Sequence, residues 1–242
     1  MTESFLDVKI WRGGADGAFV EYQVPRQDSQ TVLDVVTWVQ RNDDPSLTYR
    51  FACRVGMCGS CAMTVNGRPR WTCRTHVDKV AEGDSVTIEP LRNVPVIKDL
   101  AADLTPFFEK WQGARGRFEG SVTRTDPYAR INPADPKRQV ANAHVECINC
   151  AVCYSACDVV GWRDDYLGPG PLNRAWVAYN DERDVAPVDV IRSVAKNGGC
   201  LSCHTHQACS DHCPVGLDPA GAIAGLKKAT MKAFLSGELK QS

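Results

Sequence analysis

The sequence predicts an α+β protein of two domains: a sheet with one packed helix over residues 1–95, and an all-helical domain over residues 96–242. Three observations carry this expectation. Apolar and polar residues alternate in short runs up to about residue 90, whereas beyond it apolar residues recur at helical spacing. The 242 residues exceed one average domain. Finally, the twelve cysteines fall in three separate runs, one in the first domain and two in the second.

The elements follow in order. In "LDVKI" the residues Leu6, Val8 and Ile10 alternate with polar ones, as do Val20, Tyr22 and Val24 in "VEYQV". The intervening "GGADG" is turn chemistry, so the pair reads as a hairpin. In "TVLDVVTWVQ" the period changes, and Leu33, Val36 and Val39 share a helical face. Strands return at "CAMTVNG" and "DSVTIEP". After "EPLRNVP" the stretch "IKDLAADLTPFFEKW" sets Leu100, Leu104, Phe107, Phe108 and Trp111 at helical spacing, with Pro106 a break or a fresh start. Residues 113–140 are rich in Arg, Pro and Gly without periodicity, which suits a functional segment, a partner-covered one or a solvated loop. "PVDVIRSVAKNGG" reads as a helix closed by glycine. "DPAGAIAGLKKATMKAFLSG" reads as another, with Asp218 as N-cap, Pro219 at the first helical position and Gly237 near the C-cap.

Composition narrows the function. A hydrophobic content of 43% suits a globular chain, and a formal net charge of −1 offers no overall attraction to nucleic acid or anionic lipid. No apolar run approaches the roughly 20 residues that span a bilayer. The start, "MTESFLDVKIW", has neither the basic and apolar regions of a signal peptide nor the look of a transit peptide, so the chain is expected to stay where it is made. In a reducing compartment twelve thiols read as metal or cluster ligands and not as disulfides. "GGADG" is not G-x-G-x-x-G, and no P-loop is present.

The first run, "CRVGMCGSCAMTVNGRPRWTC", supplies Cys53, Cys58, Cys61 and Cys73. C-x4-C-x2-C with a distant fourth cysteine is the plant-type spacing for a 2Fe–2S cluster. Three thiolates on one loop wrap the cluster and the fourth closes it. Gly56 and Gly59 let backbone N–H groups approach its sulfurs. A zinc site is the alternative, but it ordinarily uses two C-x2–4-C pairs, and here the second is missing. With the sheet and helix around it, the segment resembles the β-grasp fold of plant-type ferredoxins over about residues 5–95.

The second run, "CINCAVCYSAC", is C-x2-C-x2-C-x3-C. In bacterial two-cluster ferredoxins the first three cysteines of such a run bind one cluster and the fourth binds the other. Cys147, Cys150 and Cys153 then need a fourth ligand from the last run, where Cys213 precedes Pro214; these four are assigned a 4Fe–4S cluster. Aligned backwards from Cys213, the last run, "CLSCHTHQACSDHCP", places Cys209 and Cys203 at ligand positions and His206 where a cysteine is expected. Cys157, Cys203 and Cys209 are therefore assigned a 3Fe–4S cluster, whose missing corner needs no ligand. Two alternatives stay open: His206 binds a fourth iron through its imidazole, or Cys200 swings in.

Together "CRVGMCGSCAMTVNG", "IEPLRNVPVIKDL", "CINCAVCYSAC" and "CHTHQACSDHCPVGLDP" resemble the iron–sulfur subunit of succinate dehydrogenase and fumarate reductase, the respiratory complex II family, over nearly the whole chain. The resemblance implies a plant-type ferredoxin-like domain followed by an all-α bacterial-ferredoxin-like domain. It implies a flavoprotein partner with covalent FAD, which interconverts succinate and fumarate, and an integral-membrane anchor at which electrons reach a quinone, menaquinone or ubiquinone. This chain would then be peripheral, on the cytoplasmic face of the bacterial inner membrane. Trp162 and His204 match a quinone-site tryptophan and a histidine near the quinone or a haem propionate; a packed aromatic and a surface histidine are the plainer readings. Asp158 stands where the family commonly has proline and His206 where it is usually apolar, so Asp158, His204 and His206 are candidates for protonating quinone. Quinol:fumarate reduction, a free-standing polyferredoxin and a zinc-scaffold interaction protein are the alternative functions.

Overall fold

The computed structural model describes residues 4–115 and 117–239; residues 1–3, Gly116 of the irregular stretch and residues 240–242 lie outside it. The chain forms two compact units, one of residues 1–104 with 148–156, the other of residues 105–147 with 157–242.

In the first unit β1 (Phe5–Arg12) and β2 (Ala18–Pro25) pair antiparallel, with Leu6 opposite Val24 and Ile10 opposite Val20. The alternation of β1 is realised: Leu6, Val8 and Ile10 are wholly buried. β2 is an edge strand, so Val20 remains exposed although its spacing is that of a strand. Helix α1 (Val32–Asn42) starts in a reciprocal cap, Thr31 accepting from the Asp34 N–H while the Asp34 carboxylate accepts from the Thr31 N–H. Strands β3 (Ala62–Val65), β4 (Arg68–Trp71) and β5 (Ser85–Glu89) complete a sheet of order β2-β1-β5-β3-β4, in which β1 and β5 run parallel. β4 contains Pro69 and carries no strand signal; it is tolerated because β4 is an edge, where a missing N–H costs no ladder bond. Asn66 and Gly67, both at positive φ, turn β3 into β4.

The helical reading of residues 97–111 holds only in part. Val96–Lys98 (β6) and Ala101–Ala102 (β7) form a two-stranded ribbon, and helix α2 is confined to Thr105–Gly113, with Pro106 in its first turn as a start. Leu100 is drawn into the sheet core, and Asp99, 1% exposed, accepts N–H groups from Gly13 (2.7 Å) and Thr48 (2.8 Å). These bonds carry the first unit to residue 104, beyond the expected boundary at 95.

The remaining helices are α3 (Pro136–Val145), α4 (Val152–Ser155), α5 (Asp158–Trp162), α6 (Pro169–Asn180), α7 (Pro187–Val194), α8 (Ala208–Asp211) and α9 (Pro219–Leu235). α4 belongs to the first unit: Ser155 Oγ accepts from the Arg92 N–H, and Asn93 donates to the carbonyls of Tyr154 and Ser155. In the second unit α6 packs against α2, α3, α7 and α9. α9 has the expected caps, with Asp218 accepting from the Gly221 N–H and Gly237 at positive φ. The stretch read as irregular yields α3 at its end, and two of its arginines are structural. Arg138, 6% exposed, pairs with Asp181 and Glu182, and Arg115 donates to the Ala186 carbonyl and pairs with Asp189.

Candidate metal centres

In the first unit the loop before β3 holds Cys53, Cys58 and Cys61, and a 3-10 turn after β4 brings Cys73 beside Cys61, both buried. The loop aims donors at sulfur. Met57 N–H donates to Cys53 Sγ (3.2 Å), Cys53 N–H approaches Cys58 Sγ (3.5 Å), and Ser60 Oγ lies 3.0 Å from Cys58 Sγ. The Ser60 hydroxyl first, and then the Cys53 and Ser60 N–H groups, lower the Cys58 thiol to about 6. Burial, reinforced by the hydrogen bond with Cys61, pushes Cys73 up to about 11. Thiols gathered on one loop and ringed by N–H donors fit a cationic iron–sulfide core, which holds its cysteines as thiolates. Both glycines have steric reasons. A Cβ on Gly56 (φ +77°) would lie 2.9 Å from the Trp71 ring. One on Gly59 (φ +71°) would lie 2.5 Å from Cβ and 2.8 Å from Cα of Cys150, so the first cysteine loop packs directly on the second run.

Of the four cysteines assigned to the second centre, Cys150 and Cys153 belong to the first unit, and Cys147 and Cys213 to the second. Cys150 sits between two residues in the left-handed region, Asn149 (φ 53°) and Ala151 (φ 60°), and Ala151 caps α4, which carries Cys153. Leu217 N–H donates to Cys213 Sγ at 3.3 Å. The last run repeats this backbone. Thr205 (φ 62°) and Gln207 (φ 63°) flank His206, and Gln207 caps α8, which carries Cys209. The residues on either side of His206 thus repeat the left-handed conformations that flank Cys150.

Within the second unit Cys157, Cys203 and Cys209 line one cavity with Asp158, Tyr166, His204 and His206; it holds about 360 Å³ counting its open mouth. Burial and then the neighbouring Cys157 push Cys209 up to about 12, and burial also raises Cys157. The first turn of α5 directs the Val160 and Val159 N–H groups at Cys157, while Thr205 N–H donates to Cys203 Sγ (3.3 Å). Cys200 does not line the cavity: it is fully buried, its Sγ 3.5 Å from Thr230 Oγ1 on α9. At the mouth the rings of His204 and His206 stack (centroids 6.0 Å, 7°), and Trp162, 67% exposed, meets His206 edge-on at 6.1 Å. Trp162 is thus not a packed core aromatic. Asp158 is exposed on the first turn of α5.

Tyr166 lines this cavity and Lys227 contacts the backbone of its Cys203, and neither carries a sequence signal. Tyr166, 1% exposed, has its phenol raised by burial and by the adjacent Cys203 and Cys157. Lys227 Nζ donates to the Cys203 carbonyl at 2.7 Å. Among the described residues no three of His, Cys, Asp and Glu converge on the space of a single metal ion.

A sheet domain with the plant-type cysteine loop, followed by helices carrying two matched cysteine runs, defines a multi-cluster iron–sulfur protein. The comparisons agree: the 2Fe-2S iron-sulfur cluster binding domain matches residues 7–109, and the 4Fe-4S dicluster domain matches residues 146–218. The fumarate reductase iron-sulfur subunit of Mycobacterium tuberculosis is 35% identical over 94% of this chain and 92% of its own length. That of Escherichia coli is 33% identical over 90% and 88%. The succinate dehydrogenase iron-sulfur subunit of Paracoccus denitrificans is 37% identical over 81% and 74%. Among solved structures, a chain of the Mycobacterium smegmatis Sdh1 complex superposes with a TM-score of 0.84 at 26% identity, covering 96% of this chain and 97% of that one. The chain belongs to the family of iron–sulfur subunits of succinate dehydrogenase and fumarate reductase, and is an electron-transfer subunit of an oxidoreductase complex. Among the described residues no helix is long and apolar enough to cross a membrane.

Proposed function

We propose that the chain conducts electrons through three clusters in series, from a covalent-FAD flavoprotein that oxidises succinate to a quinone at an integral-membrane anchor. In this reading Cys53, Cys58, Cys61 and Cys73 hold 2Fe–2S; Cys147, Cys150, Cys153 and Cys213 hold 4Fe–4S; and Cys157, Cys203 and Cys209 hold 3Fe–4S. When bound, the clusters supply one-electron chemistry, and the chain sets their potentials through N–H···S bonds, burial and nearby charge. The observation that carries the reading is the last cavity, which gathers three cysteines, excludes Cys200 and opens beneath Trp162, His204 and His206. Polar and aromatic groups at such a mouth suit a quinone headgroup. Asp158 and the two histidines are the groups available to deliver its protons. The chain then lies on the cytoplasmic face of the bacterial inner membrane, held there by its anchor.

A redox titration followed by EPR on the intact membrane complex tests this. Three centres are expected, the last paramagnetic when oxidised; two centres, or a colourless zinc protein, would contradict it. Isolation of a stable lone chain, with neither a flavoprotein nor a membrane subunit, would favour a polyferredoxin carrier. The Mycobacterium tuberculosis and Escherichia coli relatives named for fumarate reductase support the reverse direction as a second reading. The ratio of succinate-oxidation to fumarate-reduction rates with the native quinone decides between them.

A further inference from the structure

The last cysteine run raises a question that the three-cysteine assignment leaves unanswered: what His206 does at the corner where a cysteine is missing. Three observations converge on it. First, the backbone at 205–207 reproduces that at 149–151, with left-handed residues on both sides of the central position (Thr205 and Gln207 against Asn149 and Ala151). In both cases the following residues form a four-residue helix, capped by the second left-handed residue and carrying the next cysteine. Residue 206 therefore holds the place in this local chain pattern that Cys150 holds in the other run. Second, His206 lines the same cavity as Cys157, Cys203 and Cys209. Third, its ring, although the residue is exposed, meets the parallel face of His204 at 6.0 Å and the edge-on Trp162 at 6.1 Å. Imidazole nitrogen is a competent donor to iron.

We propose that the third centre is an iron acceptor, taking a fourth, ferrous ion at its open corner with His206 as the non-cysteine ligand. This deepens the three-cysteine reading above and rests on it. The step balances without a further reactant beyond one electron, which the chain's own electron-transfer activity supplies. The oxidised [3Fe–4S]+ core gains that electron to become [3Fe–4S]0. It then binds Fe2+ to give [4Fe–4S]2+, with no further electron moved. The imidazole lone pair replaces a water on the incoming iron, and no sulfide bond breaks. Filling and emptying the corner would exchange two forms of the terminal centre that differ in spin state.

The test uses the intact complex. It is reduced with dithionite under anaerobic conditions, incubated with ferrous iron, desalted and mildly reoxidised. The EPR signal of the oxidised three-iron centre and the iron content are then compared for wild type, His206→Ala and His206→Cys. Wild type is expected to lose the three-iron signal and gain one iron per complex. His206→Ala should retain the signal. His206→Cys should fill the corner and show that iron can reach it. Pulsed EPR of the filled, reduced wild-type centre should show coupling to a directly bonded nitrogen that is absent from both variants.

Retention of the full three-iron signal by wild type, under conditions where His206→Cys loses it, would overturn the proposal. So would a nitrogen coupling that survives in His206→Ala. A wild-type centre already filled on isolation, with that nitrogen coupling, would support it. If wild type and His206→Ala both lack a three-iron signal at the outset and show no nitrogen coupling, the three-cysteine assignment fails, and this proposal with it.

Discussion

Gly59 offers a quantitative test of how the first cysteine loop is built. Replacing it by alanine has two separable costs. The residue sits at φ +71°, where a non-glycine residue costs roughly 1–2 kcal/mol. The added Cβ would also meet Cys150 Cβ at 2.5 Å and Cα at 2.8 Å, against backbone that cannot rotate away. Overpacking of that kind costs roughly 1–3 kcal/mol, giving about 2–5 kcal/mol in all. Gly67 provides the control. It has nearly the same conformation (φ +70°), but a Cβ there meets nothing within 4 Å. Gly67→Ala should therefore cost only the conformational part, roughly 1–2 kcal/mol. At roughly 2–4 °C per kcal/mol for a chain of this size, Gly59→Ala should melt about 2–12 °C below Gly67→Ala. The assay is the melting midpoint of the purified complex, followed by the visible absorption of its clusters. Equal midpoints for the two variants would refute the claim that this glycine is required by the approach of Cys150.

Three further outcomes follow from named contacts. Burial opposes ionisation of Asp99, but the Gly13 and Thr48 N–H groups and the Arg12 guanidinium outweigh it and hold the carboxyl below its ordinary value. Its contribution is therefore present above an unfolded pKa of about 3.9 and lost as pH falls through the lower folded value. Asp99→Ala should cost roughly 3–5 kcal/mol at neutral pH, and the gap to wild type in urea midpoints should narrow below about pH 4; a constant gap would contradict this. Cys200→Ala should leave all cluster signals and the iron content unchanged at a cost of about 1 kcal/mol, whereas loss of the last centre would restore Cys200 as a ligand. Tyr166→Phe removes a buried hydroxyl beside Cys203 and should lower the midpoint potential of the last centre, because a donor near sulfur stabilises the more negative reduced form. An unchanged potential would show that the hydroxyl is aimed elsewhere.

Sequence pattern revealed most where one physical constraint dominates. The β1 alternation and the caps of α9 each follow from a single local rule, and each appears in the fold as expected. Local pattern misled where a distant partner decides. Leu100 fits a helical stripe but is captured by the sheet core, and Pro69 argues against a strand that only its edge position permits. Arg138 looks like one basic residue among many until Asp181, some forty positions on in sequence, is placed against it at 2.5 Å. The cysteine spacings named the candidate ligands without revealing what surrounds them. Tyr166 reaches the last cavity, and Lys227 the Cys203 carbonyl, from positions remote in sequence from Cys203, so no spacing rule could find them. Cys200, at C-x2-C distance from Cys203, looked eligible as a ligand. Its burial against Thr230 is a property of the packed helix.

The membership of residues 148–156 in the first unit has a consequence for biogenesis. By the time residue 104 has been synthesised, Cys53, Cys58, Cys61 and Cys73 are all present, yet the unit is unfinished. The partners of Arg92 and Asn93, and the cysteine that Gly59 packs against, are encoded about fifty residues later; at ~5–20 residues per second they follow after roughly 3–10 s. During that interval the nascent chain displays a thiol-rich loop whose covering segment has not yet been made. A gene divided between the two halves of the sequence would therefore yield two incomplete products, because the boundary visible in the primary structure is not the boundary along which the molecule closes.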